Sequence, residues 1–300
     1  MRIFEKAPAK LNLGLDIKGR CDDGYHELAM IMVSIDLNDY VTISELKEDC
    51  IVIDSDSSKM PLNKEDCIVI DSDSSKMPLN NDNDVFKAAD IIKNQYGINK
   101  GVHIRLEKSI PVCAGLGGGS TDAAATIRAL NRLWNLQMDY DEMVAIGFKI
   151  GSDVPYCLGG GCSLVLGKGE IVKPLPTLRP CWIVLVKPDF GISTKSIFRD
   201  IDCKSISRVD IDLLKSAILS SDYQLMVKSM GNSLEDITIT KNPVISTIKE
   251  RMLNSGADVA LMTGSGPTVF SMCSTEKKAD RVFNSMKGFC KEVYKVRLLR

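Results

Sequence analysis

A glycine-rich segment, Pro111–Thr121, carries the clearest chemical signal in the sequence. It reads Pro-Val-Cys-Ala-Gly-Leu-Gly-Gly-Gly-Ser-Thr, and an alanine-rich stretch that predicts a helix follows it. Because glycines lack side chains, the backbone N–H groups of such a loop can turn toward one point and approach it closely. The start of a helix also attracts negative charge, since its first N–H groups are unpaired and its dipole is positive there. The segment therefore predicts an anion site, and a nucleotide phosphate is the expected anion.

Two common nucleotide motifs do not fit this segment. A P-loop places a lysine before its Ser or Thr, whereas Gly119 precedes Ser120. A dinucleotide fingerprint needs a third glycine where Ser120 stands. We expect Ser120 or Thr121 to cap the following helix, with Asp122 in its first turn. The alternative interpretation is a tight turn without a ligand.

A lysine and an aspartate far apart in the chain are candidate functional residues. Lys10 and Asn12 lie in an alternating stretch, so they share one face of a predicted strand. Asp153 precedes Val-Pro, which places it on a turn or in the first turn of a helix. In general, an ionised carboxylate can accept a proton and a lysine can stabilise negative charge. The simpler alternatives are a solvent-facing lysine and a helix-capping aspartate.

A polar loop or turn over 19–28 carries Tyr25 and one of the two histidines, His26. Tyr25 offers an aromatic face and His26 a hydrogen-bonding edge. Taken alone, the two residues are more often ordinary packing residues. The other histidine, His103, lies in a predicted strand over 102–106 and is expected to face outward or to be structural.

Composition narrows the class of function. Of 300 residues, 44% are hydrophobic and 26% charged, and the net charge of -1 gives no electrostatic reason to expect nucleic acid or a membrane as partner. No apolar run approaches the roughly 20 residues that span a bilayer, and no signal-peptide core is evident. The ten cysteines lack Cys-x-x-Cys spacing, which favours buried thiols in a reducing cytosol. We expect a cytoplasmic protein that acts on small molecules; the oligomeric state stays open.

An exact duplication interrupts the first half, because residues 47–63 recur letter for letter as 64–80. Two copies are too few for a solenoid, which needs about three units. One copy of Cys-Ile-Val-Ile can occupy a strand, and the other must pair at a sheet edge or loop out. Identical text does not decide which copy does which. We expect no functional role for the repeat.

Hydrophobic periodicity predicts the elements that must position these residues. Helices are predicted over 84–96, 139–150, 210–219, 223–234, 243–254 and 275–287. Strands are predicted over 2–17 with a break at 7–9, then over 30–37, 40–46, 102–106, 181–186, 257–262, 268–273 and 293–299. This order predicts an α+β protein with domains over 1–172 and 173–300, divided near a proline-rich stretch.

Four segments, in this order, resemble the galactokinase, homoserine, mevalonate and phosphomevalonate (GHMP) kinase superfamily. They are Pro-Ala-Lys-Leu-Asn-Leu at 8–13, Pro-x3-Gly-Leu-Gly-Gly-Gly-Ser at 111–120, Gly-Ser-Asp-Val-Pro at 151–155 and Thr-Gly-Ser-Gly-Pro at 263–267. A further segment, Asp-Gly-Tyr-His-Glu-Leu at 23–28, is similar to the branch that phosphorylates a cytidine diphosphate-linked methylerythritol. The resemblance spans the chain except for the extra 17-residue copy.

The resemblance implies a two-domain GHMP kinase fold, with an N-terminal ribosomal-protein-S5-like ATP domain and a C-terminal ferredoxin-like domain. It implies transfer of phosphoryl from ATP, with Mg²⁺, to the 2-hydroxyl of that acceptor in isoprenoid precursor synthesis. The catalytic pair would be Lys10 and Asp153, and the acceptor would be bound by Asn12, Tyr25, His26 and Phe198. The ATP-binding residues would be Pro111, Val112, Cys113, Ala114, Gly115, Leu116, Gly117, Gly118, Gly119, Ser120 and Thr121. No paired-carboxylate motif marks the metal ligands.

Two alternatives accompany this interpretation. One is a GHMP kinase that acts on another small alcohol, such as homoserine or mevalonate. The other is a catalytically silent ligand-binding protein on the same scaffold. The presence of Lys10, Asp153 and the glycine-rich segment together argues against the silent protein.

Overall fold

The computed structural model describes residues 1–46, 51–54, 68–70, 81–199, 201–203 and 206–299. The strands in these ranges are β1 (Arg2–Arg20), β2 (His26–Leu46), β3 (Ile51–Asp54), β4 (Ile68–Ile70), β5 (Gly101–Glu107), β6 (Cys162–Gly167), β7 (Ile171–Pro174), β8 (Trp182–Lys187), β9 (Gly231–Asn232), β10 (Val259–Met262), β11 (Val269–Cys273) and β12 (Glu292–Arg297). The helices are α1 (Asp84–Tyr96), α2 (Gly118–Leu133), α3 (Tyr140–Ile150), α4 (Val154–Gly159), α5 (Thr194–Arg199), α6 (Ile211–Leu219), α7 (Tyr223–Ser229), α8 (Glu235–Lys241), α9 (Val244–Asn254) and α10 (Glu276–Lys287). The predicted α+β class is confirmed.

The chain forms two compact units, each assembled from separate stretches. The first unit comprises 1–9, 37–112 and 117–159, and the second comprises 10–36, 113–116 and 160–300. The long strands β1 and β2 each run from one unit into the other, and the glycine-rich segment contributes residues to both. The division at 172 and 173 stays a prediction.

In the first unit, β5 lies between β2 and β3. It is antiparallel to β2, with Tyr40 opposite Glu107, and parallel to β3. Helix α1 matches its predicted bounds because its caps are local: Asn83 accepts a hydrogen bond from the backbone of Val85, and Gly97 ends the helix at φ 61°. The alanines of α1 and α2 are buried, so these two helices pack closely in the core of this unit.

The repeat adds one strand to the sheet. Strand β3 comes from the first copy and lies beside β5, whereas β4 comes from the second copy and pairs in parallel with β3. Strand β4 therefore occupies the sheet edge, so the structure shows the first of the two predicted alternatives, pairing at an edge. The rest of both copies lies outside the described residues.

In the second unit, a four-stranded antiparallel sheet has the order β10-β11-β8-β12. Its central strand β8 is almost wholly buried, as its continuous apolar run predicts. The second part of β1 pairs in parallel with β9, and the first part of β2 pairs antiparallel with β6, which in turn pairs with β7. Lys10 and Asn12 lie on the part of β1 that belongs to this unit.

The strands predicted over 30–37 and 40–46 are parts of one continuous strand, β2. Two further predicted elements differ from the structure. Strand β1 runs unbroken through Pro8, because β9 pairs only with Gly14 and Leu15 and leaves Pro8 without a partner on that side. The helix predicted over 223–234 ends at Ser229, because the next residues turn extended to form β9 beside β1. Tertiary pairing decides both outcomes.

Candidate active site

The glycine-rich segment enters helix α2 earlier than predicted. Gly117, at φ 71°, is the N-cap, and its carbonyl oxygen accepts a hydrogen bond from the Thr121 N–H at 2.9 Å. The prediction that Ser120 or Thr121 caps the helix is therefore wrong, because the left-handed glycine turns the chain into the helix first. Helix geometry leaves the N–H groups of Gly118, Gly119 and Ser120 without intrahelical acceptors. This is the expected anion-binding end of α2.

A buried cluster of one lysine and two aspartates, Lys108, Asp39 and Asp122, supports this end of the helix. The Lys108 ammonium group pairs with both carboxylates, and all three side chains are at most 5% exposed. Asp39 also accepts hydrogen bonds from the backbone N–H groups of Ser109 at 2.6 Å and Ile110 at 2.8 Å. The cluster joins β2, the exit of β5 and α2. Asp122 is thus a buried ion-pair partner rather than the first-turn residue that the sequence predicts.

Two groups of this cluster, Asp122 and Lys108, have shifted pKa values. Burial raises the pKa of Asp122 to about 7, and repulsion from Asp39 adds to the rise although the attraction of Lys108 opposes it. Burial works to lower the pKa of Lys108, but the two carboxylates outweigh it and raise that pKa. The cluster therefore keeps its lysine charged and holds a proton on Asp122 more readily than an exposed aspartate would.

The middle of the glycine-rich segment is held in the second unit. The Lys10 N–H donates to the Leu116 carbonyl oxygen at 3.0 Å, which ties the loop to β1. Gly115, at φ 74°, lies against the Thr263–Pro267 turn so closely that a Cβ there would be 2.5 Å from the Thr263 carbonyl oxygen. Only glycine fits this contact without displacing the backbone.

Lys10 and Asn12 lie together, as their shared strand face predicts. The Lys10 Nζ donates to the Asn12 Oδ1 at 2.8 Å, and both side chains are buried. The Asn12 backbone N–H donates to the Thr263 Oγ1 at 3.2 Å, and a Cβ on Gly264 would be 3.4 Å from the Lys10 Nζ. The solvent-facing alternative for Lys10 is excluded. A buried ammonium group next to a glycine loop suits a ligand of opposite charge.

The Thr263–Pro267 turn is the part of the site that sequence reasoning left without a role. It contacts Lys10, Asn12 and the glycine loop through the distances given above. Asn232 fixes the turn, because its Nδ2 donates to the carbonyl oxygens of Met262 and Gly264, each at 2.8 Å. The Thr-Gly-Ser-Gly-Pro motif can be recognised in the sequence. Its hydrogen-bond partner Asn232 cannot be recognised in this way, because it is distant in the sequence.

We expect the substitution Gly115→Ala to destabilise the protein. A left-handed backbone alone costs a non-glycine residue about 1–2 kcal/mol, and the clash with the Thr263 carbonyl adds to it. Urea unfolding measures the loss. Gly19→Ala is the matched control, because a Cβ there meets nothing within 4 Å and its φ is not left-handed. Equal stability of the two variants would contradict the contact.

Asp153 lies immediately before α4 in the first unit. Its carbonyl oxygen accepts the first hydrogen bond of that helix, from the Cys157 N–H at 3.1 Å, while the side chain is partly exposed. Helix α3 packs tightly on α4, since a Cβ on Gly147 would be 2.8 Å from a methyl group of Val154. The backbone at Asp153 is thereby fixed at the start of α4.

The four predicted acceptor residues fall into separate groups in the second unit. His26 is buried beside Phe198, with ring centroids 5.5 Å apart and planes inclined at 48°. Burial lowers the pKa of His26, and repulsion from Arg20 lowers it further, so the imidazole is neutral at pH 7 and can donate and accept one hydrogen bond each.

Tyr25, in contrast, is 62% exposed. The Lys168 Nζ lies 5.4 Å from the centroid of its ring, and the same ammonium group pairs with Asp23. The fourth residue, Asn12, belongs with Lys10 as described above. Lys168 directly follows Gly167, the last residue of β6. Sequence analysis did not identify Lys168 as a candidate site residue.

Known proteins match the chain over its full length. Residues 83–161 match the model of the GHMP kinases N terminal domain, and residues 214–292 match that of the GHMP kinases C terminal domain. A Streptococcus agalactiae serotype III protein, provisionally named 4-diphosphocytidyl-2-C-methyl-D-erythritol kinase, is 94% identical over 300 residues, which cover 100% of both chains. The chain belongs to this family of GHMP kinases. A relative from Streptococcus mutans serotype c with the same provisional name is 60% identical over 299 residues and covers 100% of both chains.

A solved structure supports the same family at the level of the fold. The crystal structure of 4-(cytidine 5'-diphospho)-2C-methyl-D-erythritol kinase is 27% identical, with a TM-score of 0.79 and 99% of each chain covered. The predicted two-domain GHMP kinase fold is confirmed. Among the described residues, no helix combines the length and apolar character needed to cross a membrane. The same ranges contain no group of three or more His, Cys, Asp or Glu side chains placed to hold a metal ion.

Proposed function

We propose that the protein transfers the γ-phosphoryl group of ATP to the 2-hydroxyl of 4-diphosphocytidyl-2-C-methyl-D-erythritol. The observation that carries this proposal is the 94% identity, over the whole chain, to a relative named for that reaction. The step belongs to the methylerythritol phosphate route to isoprenoid precursors. A kinase of small metabolites also agrees with the near-neutral charge of the sequence.

The phosphate groups of ATP would bind at the glycine-rich segment. The unpaired N–H groups at the start of α2 would hold the phosphate oxygens, and Mg²⁺ bound to the β- and γ-phosphates would neutralise part of their charge. Because no cluster of metal ligands lies in the described ranges, we assign no protein ligand to this ion.

Lys10 and Asp153 would perform the chemistry. The ammonium group of Lys10, oriented by its hydrogen bond to Asn12, would stabilise the negative charge of the transferred phosphoryl group. The carboxylate of Asp153 would accept the proton of the 2-hydroxyl as that oxygen attacks phosphorus. Asn12 would orient the acceptor beside Lys10.

The cytidine end of the acceptor would bind at Tyr25, His26 and Phe198. The exposed ring of Tyr25 provides a stacking face, and the neutral imidazole of His26 can bond the edge of a cytosine. Phe198 contacts the His26 ring and so fixes its orientation. This division of roles separates base recognition from chemistry.

ATP turnover with three acceptors tests the proposal. We expect stimulation by the cytidine-bearing acceptor and none by homoserine or mevalonate. Turnover with homoserine or mevalonate instead would assign the protein to another GHMP activity. ATP binding without turnover on any acceptor would identify a silent binding protein.

We expect Tyr25→Ala to raise the KM for the cytidine acceptor by about 10-fold, because base–aromatic stacking contributes about 1–3 kcal/mol per base. The KM for ATP should not change. Tyr25→Phe is the matched control, since it keeps the aromatic face and should retain the wild-type KM. Steady-state kinetics with each substrate varied in turn measures both constants. An equal rise in the two KM values would contradict the role of Tyr25.

A further inference from the structure

Arg128, on α2, makes hydrogen bonds to two separate segments of the first unit, the start of β1 and the end of α4. Its Nη1 donates to the carbonyl oxygens of Cys157 at 2.9 Å and Leu158 at 3.3 Å, in the last turn of α4. Its Nε donates to the Glu5 carboxylate at 3.0 Å, and its Nη2 to the Lys6 carbonyl oxygen at 3.1 Å. A planar guanidinium group can supply this set of donors at once, whereas a lysine cannot.

Helix α4 depends on such an external donor. It has six residues, so its last carbonyl groups have no intrahelical partners. The residues from Val154 to Leu158 are all buried, and water cannot easily replace a missing donor there. A cation at the C-terminal end of a helix is also favoured by the helix dipole. Arg128 therefore fixes the end of α4 opposite to Asp153.

We propose that Arg128 is a positioning residue that holds Asp153 in register with the phosphate-binding end of α2. The inference rests on the proposed function, in which Asp153 accepts the proton of the acceptor. Asp153 and the phosphate-binding end of α2 are each linked to Arg128 through a helix. Asp153 directly precedes α4, whose last turn Arg128 holds, and Gly118 begins α2, which carries Arg128. Loss of the guanidinium group would let α4 shift along α2 without altering the glycine loop.

Arg132 provides a matched control within the same helix. It lies one turn after Arg128 and also forms an ion pair with Glu5, yet it makes no hydrogen bond to α4 among the described residues. Arg128→Met and Arg132→Met both remove an arginine from α2 and a pair with Glu5. Only the first variant removes the donors to α4.

We expect Arg128→Met to lower kcat by about 10- to 100-fold, because a displacement of about 1 Å at the reacting groups has an effect of this size. The KM for ATP should stay at its wild-type value, since the glycine loop is untouched. Arg132→Met should keep the wild-type kcat. Arg128→Lys should give an intermediate kcat, because it keeps the charge but not the fork of donors.

Amide hydrogen exchange on the same proteins gives a readout that does not require activity. Residues 154–159 should exchange faster in Arg128→Met than in the wild type or in Arg132→Met. Unchanged exchange there, an unchanged kcat, or an equal loss of kcat in Arg132→Met would each overturn the inference. If Arg128→Met does not fold, a wild-type kcat and exchange rate in Arg128→Lys would overturn it. A wild-type protein without turnover on the cytidine acceptor would contradict the proposed function instead, and exchange at α4 would still decide the positioning role.

Discussion

Asp153→Asn is expected to lower kcat by about 10²- to 10⁴-fold, the usual contribution of a positioned proton acceptor. The asparagine side chain has nearly the same shape but cannot take the proton of the 2-hydroxyl. The fold should survive, because Asp153 starts α4 through its backbone carbonyl, which the substitution keeps. The affinity for ATP should change little, since the glycine-rich segment is unaltered. Single-turnover kinetics and calorimetric titration with ATP measure the two effects.

Asp141→Asn serves as the control for this variant. Asp141 lies exposed in the first turn of α3, so its substitution removes a carboxylate near α4 without touching the proposed chemistry. We expect wild-type kcat for the control. Retained turnover in Asp153→Asn would remove this residue from its proposed role, and a joint loss of ATP binding would indicate damage to the fold.

Lys108→Met is expected to lower the free energy of unfolding by about 3–5 kcal/mol, the effect of removing one partner from a buried ion pair. The substitution leaves Asp39 and Asp122 in the core without a positive partner, and both carboxylates are at most 1% exposed. Urea unfolding measures the loss. Lys87→Met is the control, because Lys87 pairs with Asp84 at the surface and such pairs contribute about 0–1 kcal/mol.

The loss in Lys108→Met should depend on pH. Folding raises the pKa of Asp122 from 3.8 to about 7, so the folded state binds a proton that the unfolded state releases. The stability from this proton is present below the ordinary pKa and is lost as pH rises through about 7. Because Lys108 lowers the pKa of Asp122, its removal raises that pKa further, and the variant should lose more stability relative to the wild type at pH 8 than at pH 5. A loss that does not change with pH would show that the cluster does not titrate as described.

The sequence predicted features whose cause is local. Helix α1 carries its own caps, and Lys10 and Asn12 share a strand face through alternation alone. The glycine-rich segment indicated an anion site because glycine spacing and a following helix are both readable from the letters. These features need no knowledge of distant residues.

Features that depend on distant partners were missed or wrong. The burial of Asp122 follows from Lys108 and Asp39, which other elements bring to it. The end of α7 follows from pairing of β9 with β1, and the role of the Thr263–Pro267 turn follows from Asn232. In each case a contact between residues distant in the sequence outweighs local propensity. Hydrophobic periodicity does not show such contacts.

The duplicated strand has a consequence for how the polypeptide threads its own sheet. Because both copies carry the same Ile-Val-Ile-Asp, either one can fill the place beside β5 with identical side chains. Removing either copy should therefore leave the same strand sequence beside β5.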